Sequence, residues 1–264
     1  MSADLERYKE QQRQQWSRAA EPWRRWHKPF SQMSQAATEA IVEAAQIGPG
    51  LGVLDLASGS GEPCLTVARM VGPEGSVVAS DFVAEMVAVV EENVRRHGLT
   101  NVTCQQIDAE AIPFPDGSFD RVTCRFGVMF FPDTAKALRE VSRVLKPGGR
   151  AAFTAWAPPE LNPFFSAANG VLQRHGLLTP PPPDAPNVFR FARPGSLSGA
   201  MEASGLHQVA EEERPIAWQW PGGLDDFWEW YCQGTPVPSA VENLKPDDRE
   251  TILAELRATF QQFE

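Results

Sequence analysis

Three aspartates lie at or just past the ends of successive short apolar runs, and each could hold a polar ligand. Asp55 opens the turn Asp55-Leu56-Ala57-Ser58-Gly59-Ser60-Gly61, whose glycines let the backbone bend sharply and approach a ligand closely. A helix following such a turn aims its unpaired N–H groups at an anion. Asp81 follows the run 76–80, with Phe82 beside it. A carboxylate there can accept hydrogen bonds from both hydroxyls of a ribose, or cap the next helix. Asp108 follows the run 102–107, within Asp108-Ala109-Glu110. Its carboxylate could take the exocyclic amine of adenine while a neighbouring N–H meets a ring nitrogen; capping its own loop is the plainer use. Alone, none of the three decides anything. In series they outline a nucleoside-binding edge.

Such an edge needs a parallel sheet behind it. Between residues 51 and 155 short apolar runs alternate with amphipathic stretches, and strands are read at 52–56, 76–80, 102–107, 119–126 and 150–156. A helix begins at Pro63, where the missing N–H does no harm. A second carries Val83, Met86, Val87, Val90 and Val94 and stops at Gly98; a third, capped by Asp133, carries Leu138, Val141 and Val144. Crossovers of this length join parallel strands covered on both faces, and their right-handedness gathers the strand C-termini along one edge. The predicted class is α/β, a Rossmann-like, doubly wound, mostly parallel sheet with an N-terminal helical lid and a cap insertion. Residues 1–46 form the lid, 47–156 the core, and 157–264 the cap insertion, remaining strands and C-terminal helices. The run Pro180–Pro183 reads as a stiff linker, and 247–260 as helical.

Composition narrows the partners. Net charge is −10, a field that repels polyanions, so no nucleic-acid partner is expected. Four scattered cysteines without a CxxC pair suggest neither zinc nor a disulfide framework, and no metal is expected. The polar N-terminus and the lack of a long apolar run predict a cytoplasmic protein without a membrane span.

The segments VLDLASGSGEP, VVASD, IDAEAIPFPDGSFD and LREVSRVLKPGG occur in order over about residues 45–156. Together they resemble the successive motifs of class I S-adenosylmethionine (SAM)-dependent methyltransferases, in the branch that includes the ubiquinone/menaquinone-biosynthesis C-methyltransferases. The resemblance implies SAM as cofactor, S-adenosylhomocysteine as product, and a seven-stranded sheet with its last strand antiparallel. It implies that the loop 55–61 (Asp55, Ala57, Ser58, Gly59, Gly61) holds the methionine moiety. It places Asp81 with Phe82 at the ribose, Asp108, Ala109 and Glu110 at the adenine, and Arg125 on the cofactor side of the fourth strand. Two departures stand out. Ala57 replaces the family's usual first glycine, which a negative φ would tolerate. Residues 206–220 supply a plausible sixth strand, but no convincing seventh follows Pro221.

Other functions fit less well. A dinucleotide-binding dehydrogenase wants G-x-G-x-x-G, yet Cys64 stands at the third glycine, and neither Tyr8 nor Tyr231 has lysine four residues on. Nucleic-acid amino-methyltransferases carry an Asn/Asp-Pro-Pro-aromatic motif where this chain has apolar residues 125–131. A non-catalytic SAM-binding protein would share the same motifs. Methyl transfer from a sulfonium is an in-line displacement that chiefly needs positioning and exclusion of water. His27 is the candidate base, with an ordinary packing histidine as the alternative. Trp16, Trp23, Trp26 and Phe30 are too many rings to leave in water, and they predict a lid over a small apolar, aromatic or amine acceptor.

Overall fold

The computed structural model describes residues 3–179, 185–235 and 237–263; the proline run 180–183 lies outside them. The chain opens with helices α1 (Ala3–Arg25), α2 (His27–Met33) and α3 (Gln35–Ala45). Strands and helices then alternate: β1 (Gly52–Leu56), α4 (Cys64–Val71), β2 (Ser76–Asp81), α5 (Ala84–Arg96), β3 (Val102–Gln106), β4 (Phe119–Arg125), α6 (Thr134–Val144) and β5 (Leu145–Thr154). Helices α7 (Pro163–Arg174), α8 (Ser196–Ala203), α9 (Leu224–Gly234), α10 (Val237–Val241) and α11 (Pro246–Gln261) complete the described chain. The strands form one wholly parallel sheet in the order β3-β2-β1-β4-β5.

Period-two alternation sorts the side chains of the strands into two cores. Val53, Val77 and Ala79 face α3, α4 and α5 and pack with Ile41, Ala45, Val67, Val71 and Val90. Leu54, Leu56, Val122 and Cys124 face the other way, onto Ala137, Val141 and Val144 of α6 and Leu197 of α8. Helix α3, which lies within the 1–46 predicted as lid, is therefore a layer of the sandwich. A third core lies among the later helices, where Val171, Trp230, Tyr231, Leu256 and Phe260 enclose one another and receive Phe30 and Met33 from α2.

Two expectations about strands change. The turn Lys146-Pro147-Gly148-Gly149 lies inside β5 as a bulge, since Phe119 pairs with Leu145 and Arg121 with Arg150. Residues 206–220 form no strand, and the described residues hold five strands, not seven. Ile216, Trp218 and Trp220 do alternate inward, but the stretch before them carries Glu211, Glu212, Glu213 and Arg214, all exposed. Glu211 accepts from the backbone of Gly195 and Ser198, while Arg214 pairs with Glu43 and Glu212. These side-chain ties hold the segment to α8 and α3 without backbone pairing to β5. Alternation alone does not make a strand without a partner edge in register.

Candidate active site

The C-terminal ends of β1 to β4 open into one cavity, roofed by α1. Its wall includes Ala57, Ser58 and Gly59 after β1, Asp81 and Phe82 at β2, Asp108, Ala109 and Glu110 after β3, and Arg125 at β4. Nine of the sequence-predicted residues thus meet in one place although they come from four separate strands.

The rest do not reach it. Asp55 is completely enclosed. Opposite it in the register is Thr123, whose hydroxyl donates to Asp55 Oδ1 at 2.6 Å; the Ser58 hydroxyl donates to Oδ2 at 2.7 Å. Enclosed and held through both oxygens, Asp55 braces the turn and lies off the cavity wall. Burial pushes its carboxyl up to about 7, against the pull of those two hydroxyls and of Arg125. Gly61 also sits behind the wall, where a Cβ would come within 2.9 Å of Leu65 Cδ1; its bareness lets α4 approach the turn. His27 is buried at the start of α2, near Ser31 and off the cavity wall. Burial, then the charges of His97, Arg96 and Arg125, depress its pKa to about 4. His27 does not line the cavity in which a base would have to act.

Ala57 corrects a second expectation. Its φ is +54°, in the left-handed region that costs an L-residue roughly 1–2 kcal/mol. The methyl is accommodated across the turn, at Gly127, where a Cβ would lie 2.5 Å from that of Ala57.

Asp81 is bound from both sides by backbone. Gly59 N–H donates to Oδ2 at 3.1 Å and Val83 N–H to Oδ1 at 3.2 Å. Burial raises its pKa to about 6, with those amides and that of Phe82 working the other way. Each oxygen keeps acceptor capacity for a ligand hydroxyl. Asp108 accepts Glu110 N–H at 2.9 Å through Oδ1, while Oδ2 accepts Lys9 Nζ at 2.8 Å. Lys9, a residue of α1 that nothing in its polar sequence marks out, also stands 2.7 Å from Glu110 Oε2. Burial opposes its charge, but the two carboxylates outweigh burial and hold its pKa above the ordinary value. Glu110 Oε1 accepts Asp133 N–H at 2.9 Å, so the loop after β3, α6 and α1 are tied together through one carboxylate.

The remaining wall is aromatic. Trp16 and Trp23 of α1 meet edge to face at 6.1 Å; Trp16 meets Phe130 at 5.6 Å and Trp23 meets Phe30 at 4.4 Å. Phe126, held at φ +57°, stacks on Trp156 at 4.2 Å. Apart from Glu110 Oε2, which faces Lys9, three buried polar atoms on this wall have no hydrogen-bond partner: Trp23 Nε1, Glu62 Oε2 and Arg125 Nε. Orphans of this kind are costly in a finished interior, and clustered in a cavity they fit the polar ends of a ligand.

The sequence matches the model of the ubiE/COQ5 methyltransferase family over residues 29–173, more than half of the chain. The chain belongs to that family. It is 35% identical over 179 residues to the ubiquinone/menaquinone biosynthesis C-methyltransferase UbiE of Proteus mirabilis, covering 64% of this chain and 71% of that one. Among solved structures it resembles the YcgJ protein of Bacillus subtilis, with 26% identity, a TM-score of 0.53, and 82% and 88% of the two chains covered. The [4+2]-cyclase SpnF shares the fold at 20% identity, with a TM-score of 0.56 over 86% of this chain and 74% of that one. The protein is a SAM-dependent methyltransferase of the Rossmann-like class, acting on a small-molecule acceptor. No helix among the described residues is long and apolar enough to cross a membrane.

Proposed function

We propose that this methyltransferase seats SAM along the edge from β3 to β4 and methylates an aromatic acceptor held in the ring-lined part of the same cavity. Asp108 and Ala109 receive the adenine, Asp81 the ribose hydroxyls, and the backbone of Ala57, Ser58 and Gly59 the methionine chain. Bound there, SAM supplies a methyl group on a sulfonium whose departure needs no acid. What the chain adds is alignment and dryness: Trp16, Trp23, Phe30, Phe126 and Phe130 present flat apolar faces to a ring and keep water out. The segment 1–30 serves as a lid, with Lys9 fastening it over the adenine end.

The observation that carries this reading is the continuity of one cavity from Asp108 to the aromatic cluster. The accepting atom is a carbon, as the name of the Proteus mirabilis relative, a C-methyltransferase, states for that enzyme. Neutral carbon and ring faces suit these walls better than a cationic amine would, because the charged side chain among the rings, Arg125, is itself a cation. The test is a panel of hydroquinones, phenols, amines and thiols, scored by S-adenosylhomocysteine release and by the carbon-bound methyl signal in the product. Turnover confined to amines or thiols would refute it.

A further inference from the structure

Arg125 ends β4, and its half-buried side chain meets neutral partners. Nη1 donates to Ser34 Oγ at 2.6 Å, to Thr38 Oγ1 at 3.1 Å and to the Ser34 carbonyl at 3.3 Å. Its Nε has no partner, and it forms no ion pair among the described residues. Glu62, just past the glycine turn of β1, is the converse case. Its Oε2 is buried without a hydrogen-bond partner, and it too forms no ion pair among the described residues. Both line the cavity; burial lowers the Arg125 pKa to about 10, and attraction from Glu62 and from Asp55 offsets part of that burial. Buried charges in proteins are normally paired, so two unmatched and opposite ones on one wall need a ligand that carries both signs.

Their order along the sheet says which ligand. With strands arranged β3-β2-β1-β4, the edge presents Asp108, Asp81, the Gly59 turn with Glu62, and then Arg125. Neighbouring strands lie about 4.8 Å apart, so three steps cover roughly 14 Å, the reach of an extended nucleoside carrying an amino-acid chain. We infer that Glu62 and Arg125 form a two-point receptor for the amino-acid end of the cofactor. Glu62 accepts from the α-ammonium, and Arg125 donates Nε–H to the α-carboxylate. This rests on the cofactor placement proposed above, and it makes both residues positioning groups that fix the methionine chain and with it the methyl's line of approach. The sequence places Arg125 on the cofactor side but neither marks Glu62 nor joins the two. Glu62 sits inside a glycine motif read for its backbone, and Arg125 carries no mark of lacking a carboxylate partner.

The experiment is calorimetric binding to the full-length protein of S-adenosylhomocysteine, 5′-methylthioadenosine, which lacks the amino-acid end, and decarboxylated S-adenosylmethionine, which keeps only the amine. Glu62→Gln should weaken S-adenosylhomocysteine at least tenfold and leave 5′-methylthioadenosine within twofold. Arg125→Lys and Arg125→Gln should weaken S-adenosylhomocysteine but not the decarboxylated compound, with Arg125→Lys the milder and the safeguard if Arg125→Gln does not fold. A folded Glu62→Gln protein whose preference for S-adenosylhomocysteine over 5′-methylthioadenosine is unchanged overturns the receptor. Failure of the wild-type protein to bind either nucleoside overturns the cofactor placement instead.

Discussion

Replacing Asp81 by asparagine separates the two tasks the structure gives that residue. The side chain keeps its size but loses its charge, and its amide NH2 must face one of the two backbone donors, Gly59 N–H or Val83 N–H. Losing one charge-assisted bond costs about 1.5–3 kcal/mol. Relief of the buried charge works in the opposite direction. A carboxyl raised from 3.8 to about 6 has its charged form disfavoured by about 3 kcal/mol, burial less the amide bonds, at 1.36 kcal/mol per pKa unit. The two nearly cancel, so Asp81→Asn should melt within a few degrees of wild type at pH 8. Ligand affinity has no such compensation. Hydroxyl donors meeting an amide in place of a carboxylate lose about 1.5–3 kcal/mol, or roughly 10- to 150-fold in S-adenosylhomocysteine affinity by calorimetry.

The pH dependence supplies an internal control. Hydroxyls that donate to Asp81 favour its ionised form, so wild-type affinity should fall as pH drops through about 6, while the Asp81→Asn profile stays flat there. Stability of the free protein runs the other way. A folded-state pKa above the unfolded value adds stability that is complete below 3.8 and lost as pH rises through about 6 for Asp81 and about 7 for Asp55. His27, depressed to about 4, has the opposite sign: its contribution is present above 6.5 and lost on acidification toward 4. The difference between wild type and Asp81→Asn isolates the Asp81 share. If the folded variant binds S-adenosylhomocysteine within twofold of wild type at pH 8, Asp81 only braces the turn, and the ribose assignment fails.

Further outcomes follow from single contacts. Lys9→Met strips the cation from Glu110, whose side chain is 1% exposed, and from Asp108, which can take up water. A loss of about 3 kcal/mol in α1 docking should appear as faster proteolysis within residues 6–25 and reduced methyl transfer; unchanged protection would dismiss the lid fastening. Ala57→Gly should raise stability by about 1 kcal/mol by relieving the left-handed backbone, whereas Gly127→Ala must force the turn open and should lower the melting temperature; equal effects of the two would contradict the packing described. His27→Gln should leave the pH–rate profile of methyl transfer unchanged, and disappearance of an ionisation from that profile would restore His27 as the base.

How much of this was readable in the chain divides along a physical line. Local pattern sufficed for the sheet. Valines at alternate positions, glycines at turns and helical spacing between them act over a few residues, and they placed β1 to β4 within a residue or two. The same pattern brought Asp81, Asp108 and the turn after β1 to one edge, because parallel crossovers leave strand ends no other place. It failed where a side chain's partner is remote in sequence. Asp55 and Asp81 look alike in the sequence, yet the first is enclosed against Thr123 and Ser58 while the second faces the cavity. The sign of φ at Ala57 depended on an absent atom at Gly127. His27 was drawn to chemistry by its type and removed from it by its position, off the cavity wall. Lys9 found its partners 99 residues away at Asp108 and beyond, at Glu110. Hydrophobic periodicity is a property of neighbours along the chain, and it survives in any fold that buries one face. Whether a carboxylate is satisfied, orphaned or paired is decided by desolvation and by whichever groups the fold carries to within about 3 Å of it, and only the tertiary structure supplies those.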